Sequence, residues 1–304
     1  MDDLINLLSS AFYEGLAFGL VAIGVYLTFR VLAFPDLTVD GSFPLGGAVV
    51  ATLIVNFHVN PWLATLAALC AGLCAGLVTS LLNTKLRINA LLAGILMMVA
   101  LYSINLMIMG RSNIGLLREV TVFSQVSQFL GVDDKVTLSI IFMVVLAAII
   151  LAMLNWFLRT EIGLALRATG ENEQMVRGLG GNTNMTTILG VSISNGLVAL
   201  SGALIAQNQS NADVGMGVGM IVMGLASVII GEGIFRPRGV TSVLLAVVGG
   251  TFAYRLFIGI ALRYNWVSAG NLKLVTALLV IIALAIPYLQ KKLRHEWVPP
   301  AARM

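Results

Sequence analysis

Long apolar runs separated by short polar breaks make up almost the whole chain. Nine runs stand out, at about residues 11–33, 43–57, 61–82, 89–109, 136–158, 184–206, 217–235, 240–262 and 271–289. Several approach or exceed the roughly 18 uncharged residues that mark a membrane-spanning helix. None shows the strict alternation of a barrel strand. Backbone groups in lipid must be satisfied within the segment or by closure, so the runs predict helices. The expected fold is an all-α membrane protein of about nine transmembrane helices. Residues 1–304 form a single transmembrane domain, because no polar stretch is long enough to fold alone.

The second run departs from the pattern. From Phe43 to Phe57 it is short for a crossing. It follows "FPDLTVDGSFP", which carries Pro35, Pro44, Gly41 and the carboxylates Asp36 and Asp40. Two readings stay open: an ordinary loop, or a broken helix that enters the membrane against other protein. The short run favours the broken helix. On that reading Asp36, Thr38, Asp40 and Ser42 border a substrate pathway. On the other, Asp36 and Asp40 are helix caps. Asn105 and Asn195 lie inside apolar spans, placed either to meet a solute or to hydrogen-bond between helices.

A second interruption comes mid-chain. "LRATGENEQMVRGLGGN", residues 166–182, gathers Arg167, Glu171, Glu173 and Arg177, with Arg159 and Glu161 just before. It predicts one short helix, capped by Thr169, with Glu171 and Glu173 in its first turn and Gly180 and Gly181 ending it. Met175, Val176 and Leu179 then form an apolar stripe on one face. Such a stripe suits a groove on another protein, or lies on the membrane surface.

Composition confirms the class. The chain is 59% apolar and 11% charged, against about 25% charged in an average soluble domain. The net charge of +4 is no nucleic-acid signal, because the cations sit at the ends of apolar runs. Twelve of the 18 Lys and Arg residues fall on the side that follows the odd-numbered spans. That bias predicts the N-terminus outside, the C-terminus in the cytoplasm, and residues 166–182 in the cytoplasm. "MDDLINLLSS" lacks the basic leader and cleavage site of a removable signal peptide.

Single residues add less. Gly72 with Gly76, and Gly215 with Gly219, have the small-xxx-small spacing of close helix packing. Cys70 and Cys74, one turn apart, and the scattered methionines fit packing rather than metal. Residues 111–135 ("VTVFSQVSQFLGV") predict an amphipathic stretch on the outer surface. Gln207, Asn208, Gln209 and Asn211 cluster at the outer exit of the sixth span, facing a partner or solvent. Glu232 and Arg236 are spaced for an ion pair within a helix. Arg255 lies inside the eighth span, and either snorkels outward or pairs with Glu14 at a similar depth.

No metal set or catalytic constellation appears, and His58 and His295 are the only histidines. No cofactor is expected. The G-x-x-x-x-G-K-[ST] loop is missing, so any ATP is hydrolysed by a partner. No acidic residue falls near the middle of a span, which disfavours a stand-alone ion-coupled transporter or channel. A membrane enzyme would need acid, base or metal residues that are not apparent.

"LRATGENEQMVRGLGGNTN", followed by a span with "SGALIA", resembles the cytoplasmic coupling segment of permease subunits in bacterial ABC importers. The likeness is to the branched-chain amino acid and ribose class. "FPDLTVDGS" is similar to that class's early "GIDLSVGS" segment. "FPDLTVDGSFPLGGAVVA" and "INALLAGILMMVALYSINLMIMGRSNI" resemble more closely the subgroup described as tryptophan- or tyrosine-type uptake permeases. The resemblance spans about residues 15–240. Met175 departs from it, since the class often has alanine there. It implies a multi-pass permease of the bacterial inner membrane that imports a small organic solute, an amino acid, with aromatic ones as the first candidates. Its partners would be membrane lipid, a second copy of itself, an extracytoplasmic binding protein and ATPase subunits. The ATPases would dock on Glu171, Asn172, Met175, Val176 and Leu179.

Overall fold

The computed structural model describes residues 2–130, 135–263 and 281. Eight of the nine predicted runs are helices: α1 (Asp2–Val25), α2 (Val39–Val55), α3 (Pro61–Thr84), α4 (Ala90–Met109), α6 (Lys135–Arg159), α9 (Thr183–Asn208), α10 (Met220–Phe235) and α11 (Val240–Arg263). The ninth run, apart from Ile281, and His295 lie outside the described residues. Three shorter helices are α5 (Val122–Leu130), α7 (Glu161–Glu171) and α8 (Glu173–Gly178). Among the described residues, seven helical stretches are long and apolar enough to cross a membrane. The count is seven rather than eight because α2 is too short. Its 17 residues span about 25 Å, less than the roughly 30 Å hydrocarbon core.

Burial separates centre from periphery. In α9, 78% of the apolar window is buried, against 22% in α6. α9 is therefore the central post. α6 shows Ile141, Val145, Ile149, Met153 and Trp156 on its outside, an apolar surface suited to lipid. α3 packs tightly on α9 through the Gly72/Gly76 pair. A Cβ at Gly72 would collide with the Asn195 carbonyl oxygen and Ala199, and one at Gly76 would sit 2.7 Å from Ser192 Cα. The Gly215/Gly219 pair is different. Both residues precede α10, Gly215 in a 3-10 turn (Val214–Gly217) and Gly219 at the cap with φ +92°. They serve a turn, not a helix interface.

At one end of the bundle, β1 (Asn113–Gly115) pairs antiparallel with β2 (Asn211–Asp213). This ladder joins two loops that the hydrophobic pattern treats as separate. α5 follows β1, and its Phe123 packs edge-on against Tyr13 and Phe142. Gln207 is buried and works inside the chain. Its side chain accepts from the Val122 N–H at 3.0 Å and donates to the Thr65 hydroxyl at 2.9 Å. Asn208, Gln209 and Asn211 remain exposed, as are Cys70 and Cys74, which carry free thiols.

Candidate functional site: a broken helix and a charged double-helical segment

α1 runs into a π-helical turn, Tyr26–Val31, and helical structure stops at Leu32. The next residues do not stay at the end of the bundle. They run back into it, and α2 starts from inside. Asp36 and Thr38 are fully buried. Asp36 makes an Asx turn, its Oδ1 accepting from the Thr38 N–H at 2.9 Å. Its Oδ2 accepts from the Asn195 side-chain amide at 2.6 Å, and Asn195 lies halfway along α9. Asn195 also donates to the Val191 carbonyl at 3.0 Å and accepts from the Ser42 hydroxyl at 2.7 Å. The Thr79 hydroxyl donates to Ala75, so Thr38 is the donor in the 2.9 Å Thr38–Thr79 bond. Asn105 donates to the Gly41 carbonyl at 3.2 Å, and its Oδ1 is buried without a partner. Irregular backbone at this depth is tolerated only against protein or a cavity, and here α3, α4 and α9 enclose it.

This geometry corrects one expectation. A carboxylate does sit level with the middle of a span. Asp36 lies outside every apolar run, but the chain folds inward over residues 32–38 and carries it to the centre of α9.

Asp40 has a second role that the sequence does not show. Its carboxylate accepts from the backbone N–H groups of Gly219 at 3.2 Å and Ile221 at 2.9 Å. It therefore caps α10 from another helix, where the dipole favours negative charge. α2 and α10 thus begin side by side, deep in the bundle. Of the six residues expected to border a pathway, Asp36, Thr38, Ser42, Asn105 and Asn195 are buried within the chain, and Asp40 is half-buried. Asp36, Thr38, Ser42 and Asn195 join through hydrogen bonds. Asp40 instead holds the start of α10, and Asn105 holds the Gly41 carbonyl.

The segment 166–182 is two helices, not one. Thr160 caps α7 and Asn172 caps α8, the Asn172 side chain accepting from the Met175 N–H at 2.9 Å. Asn172 itself is extended (φ −155°, ψ 92°) and breaks the helix. Thr169 is no cap: it lies inside α7, donates to Ala165 at 2.7 Å and meets the Thr186 hydroxyl at 3.0 Å. Glu171 accordingly ends α7 instead of opening a helix, while Glu173 opens α8 and pairs with Arg177. Gly180, with φ +83°, follows the end of α8. The expected stripe divides. Met175 and Leu179 are 52% and 80% exposed, whereas Val176 is 8% exposed and packs inward over Gly181.

Two ion pairs tie the bundle. Arg255 Nη1 meets Glu14 Oε2 at 3.0 Å, and its guanidinium lies 3.7 Å over the Phe18 ring, so Arg255 is held inside rather than snorkelling. Glu232 pairs with Arg30, not Arg236. Arg236 sits in a left-handed C-cap conformation, with φ 43°, which turns it away from the helix surface.

The pattern that defines the permease components of branched-chain amino acid transport systems matches residues 7–285, and the chain belongs to that family. Family membership and the seven apolar helices make it a multi-pass permease of the bacterial inner membrane. It is 40% identical over 293 residues to the tyrosine transport system permease protein of Clostridioides difficile, covering 95% of each chain. It is 27% identical over 237 residues to the ribose import permease protein RbsC of Escherichia coli, covering 76% of this chain and 69% of that one. Its fold is similar to PsaBC from Streptococcus pneumoniae, solved in complex with Fab, with a TM-score of 0.52 at 17% identity over 99% of this chain and 93% of that one.

Proposed function

We propose that this chain is the membrane subunit of an ABC importer that carries an amino acid into the cytoplasm, with an aromatic amino acid as first candidate. The substrate class rests on the relative named for tyrosine transport. The observation that carries the mechanism is the short α8, standing between α6 and α9 with Met175 and Leu179 exposed at a charged, capped turn. An apolar pair presented this way fits a groove on an ATPase subunit, with Glu171 and Asn172 beside it and Val176 anchoring the helix from within. The bias of Lys and Arg supports nine spans with the N-terminus outside, the C-terminus in the cytoplasm, and the docking segment 166–182 on the cytoplasmic side.

The solute path runs past the starts of α2 and α10, at the interface with a second copy of the chain. Asp40 supports this placement. A half-buried carboxylate deep among apolar helices is costly against lipid and is at home beside a polar cavity. Asp36, Thr38, Ser42, Asn105 and Asn195 hold the broken helix that borders the path. A binding protein delivers the solute from outside, and ATP binding to the docked ATPases shifts α7 and α8.

A stand-alone ion-coupled transporter is the second reading, and the deep Asp36 favours it. Against it, both Asp36 oxygens are engaged and the residue is fully enclosed.

The docking surface is tested by Met175→Asp with Leu179→Asp. The double variant is expected to insert normally and to lose co-purification with the ATPase. A complex that survives with ATP hydrolysis coupled to transport shows that α8 is not the docking helix.

A further inference from the structure

Three sets of contacts converge on the π-helical turn Tyr26–Val31. The first comes from the docking segment. Gly170, in the last turn of α7, lies flat on this turn: a Cβ there would collide with the Val31 carbonyl oxygen and stand 2.9 Å from Leu32 Cα. Leu32 is wedged between Gly190 of α9 and Leu166 of α7, where a Cβ at Gly190 would collide with Leu32 Cδ1 and meet Leu166 Cδ1 at 3.0 Å. The second is the ion pair of Arg30 with Glu232, in the last turn of α10. The third is covalent. The chain leaves the turn at Leu32 and reaches Asp36, bonded to Asn195, within a few residues.

The far end of α10 is capped by Asp40 of α2. The turn therefore touches α10 at one end, while the chain that follows it becomes α2, which holds α10 at the other. The turn is also wound irregularly. The Leu32 N–H reaches back five residues to the Leu27 carbonyl at 3.0 Å, and the Phe34 N–H reaches six back to Thr28 at 2.8 Å. Such wide turns occur mostly as single π-bulges in α-helices, frequently at functional sites.

We infer that the Tyr26–Val31 turn is the relay of the transporter: movement of α7 reaches it through Gly170 and Leu32, and it passes that movement to α10 through Arg30–Glu232 and to α2 through residues 32–38. This rests on the docking role proposed for α8. Gly170, Arg30 and Glu232 are positioning residues, since they act through the helices that border the path. The contact at Gly170 is backbone on backbone, so a displacement of α7 is not absorbed by a side-chain rotation.

The test uses the whole complex, permease with ATPase and binding protein, in liposomes, and reads solute moved per ATP hydrolysed. Gly170→Ala is expected to keep the ATPase bound and hydrolysing, with solute per ATP reduced by about tenfold, within the usual range of coupling energies. Arg30→Glu and Glu232→Arg are each expected to uncouple, and the double swap to regain coupling. A spin label on Ala33→Cys, exposed just after the turn, in a chain whose exposed Cys70 and Cys74 are changed to serine, is expected to change mobility on ATP binding and to stay still when Gly170→Ala is added. A purely structural role would reduce the amount of complex and leave solute per ATP unchanged. Should Gly170→Ala not accumulate, the Arg30–Glu232 set gives the same decision. Normal coupling in these variants, with a responsive label, overturns the relay alone. An unaltered chain that binds no ATPase overturns the docking role and the relay together.

Discussion

Asn195 binds Asp36 across 159 positions of sequence, its side-chain amide 2.6 Å from the carboxylate. This bond pins the start of a broken helix to the middle of the central post. Ser42 closes the arrangement by donating to the Asn195 oxygen at 2.7 Å, so both ends of the amide are used. Removing the amide leaves a buried carboxylate short of a donor, which costs about 3 kcal/mol. Asn195→Leu is therefore expected to lower the melting temperature in detergent and the yield of folded protein. Asp36→Asn, which removes the charge, is expected to be milder. The comparison is made by size-exclusion chromatography after a heat challenge. Equal effects of the two changes contradict this account of the site.

Asp40 caps α10 from outside that helix. Losing a cap costs about 1–2 kcal/mol in stability, so Asp40→Ala is expected to be a modest destabiliser. Its effect on transport is expected to be larger than its effect on folding, because α10 and α2 lose their shared anchor. Uptake measured at matched amounts of folded complex checks this. Uptake that falls only in proportion to folded protein denies Asp40 a place beside the path.

Arg255 and Glu14 form a charge pair that also has an aromatic partner. The side chains are 18% and 38% exposed, so the pair is partly screened and its worth is judged by exchange rather than by a figure. Glu14→Arg and Arg255→Glu are each expected to reduce the folded yield. The double swap is expected to recover only part, since an arginine at position 14 does not lie over Phe18. A double swap no better than the worse single change rules out the pair as a structural tie.

The hydrophobic pattern showed most of the fold. Eight predicted runs became helices, and the short second run beside Pro35 and Pro44 is the 17-residue α2, which starts after the non-helical residues that follow Leu32. What it missed shares one cause: contacts between segments distant in sequence leave no periodic trace. The β1–β2 ladder joins residues about a hundred apart. Asp40 caps a helix by bonding 179 and 181 positions away, and Glu232 pairs with Arg30 rather than its neighbour Arg236. In residues 166–182, local chemistry points two ways because two good caps compete. Asn172 breaks the helix, and Thr169 turns to Thr186 instead. Asn172 was the available signal, since Asn-x-x-Met is as good a helix start as Thr-x-x-Asn. The short second run and its prolines point to an inward course for residues 32–38, but the depth of Asp36 follows from its bond to Asn195 on α9 and has no signature in the chain itself.

The deep carboxylate is also what makes the source of energy worth measuring directly. The decisive measurement is uptake of labelled tyrosine and other amino acids into liposomes that carry this chain, with and without the ATPase and the binding protein. Uptake is expected only when all three proteins and internal ATP are present, and to be abolished by Met175→Asp with Leu179→Asp. Uptake by this chain alone, driven by a proton or sodium gradient and lost in Asp36→Asn, would contradict the account and make the protein an ion-coupled transporter.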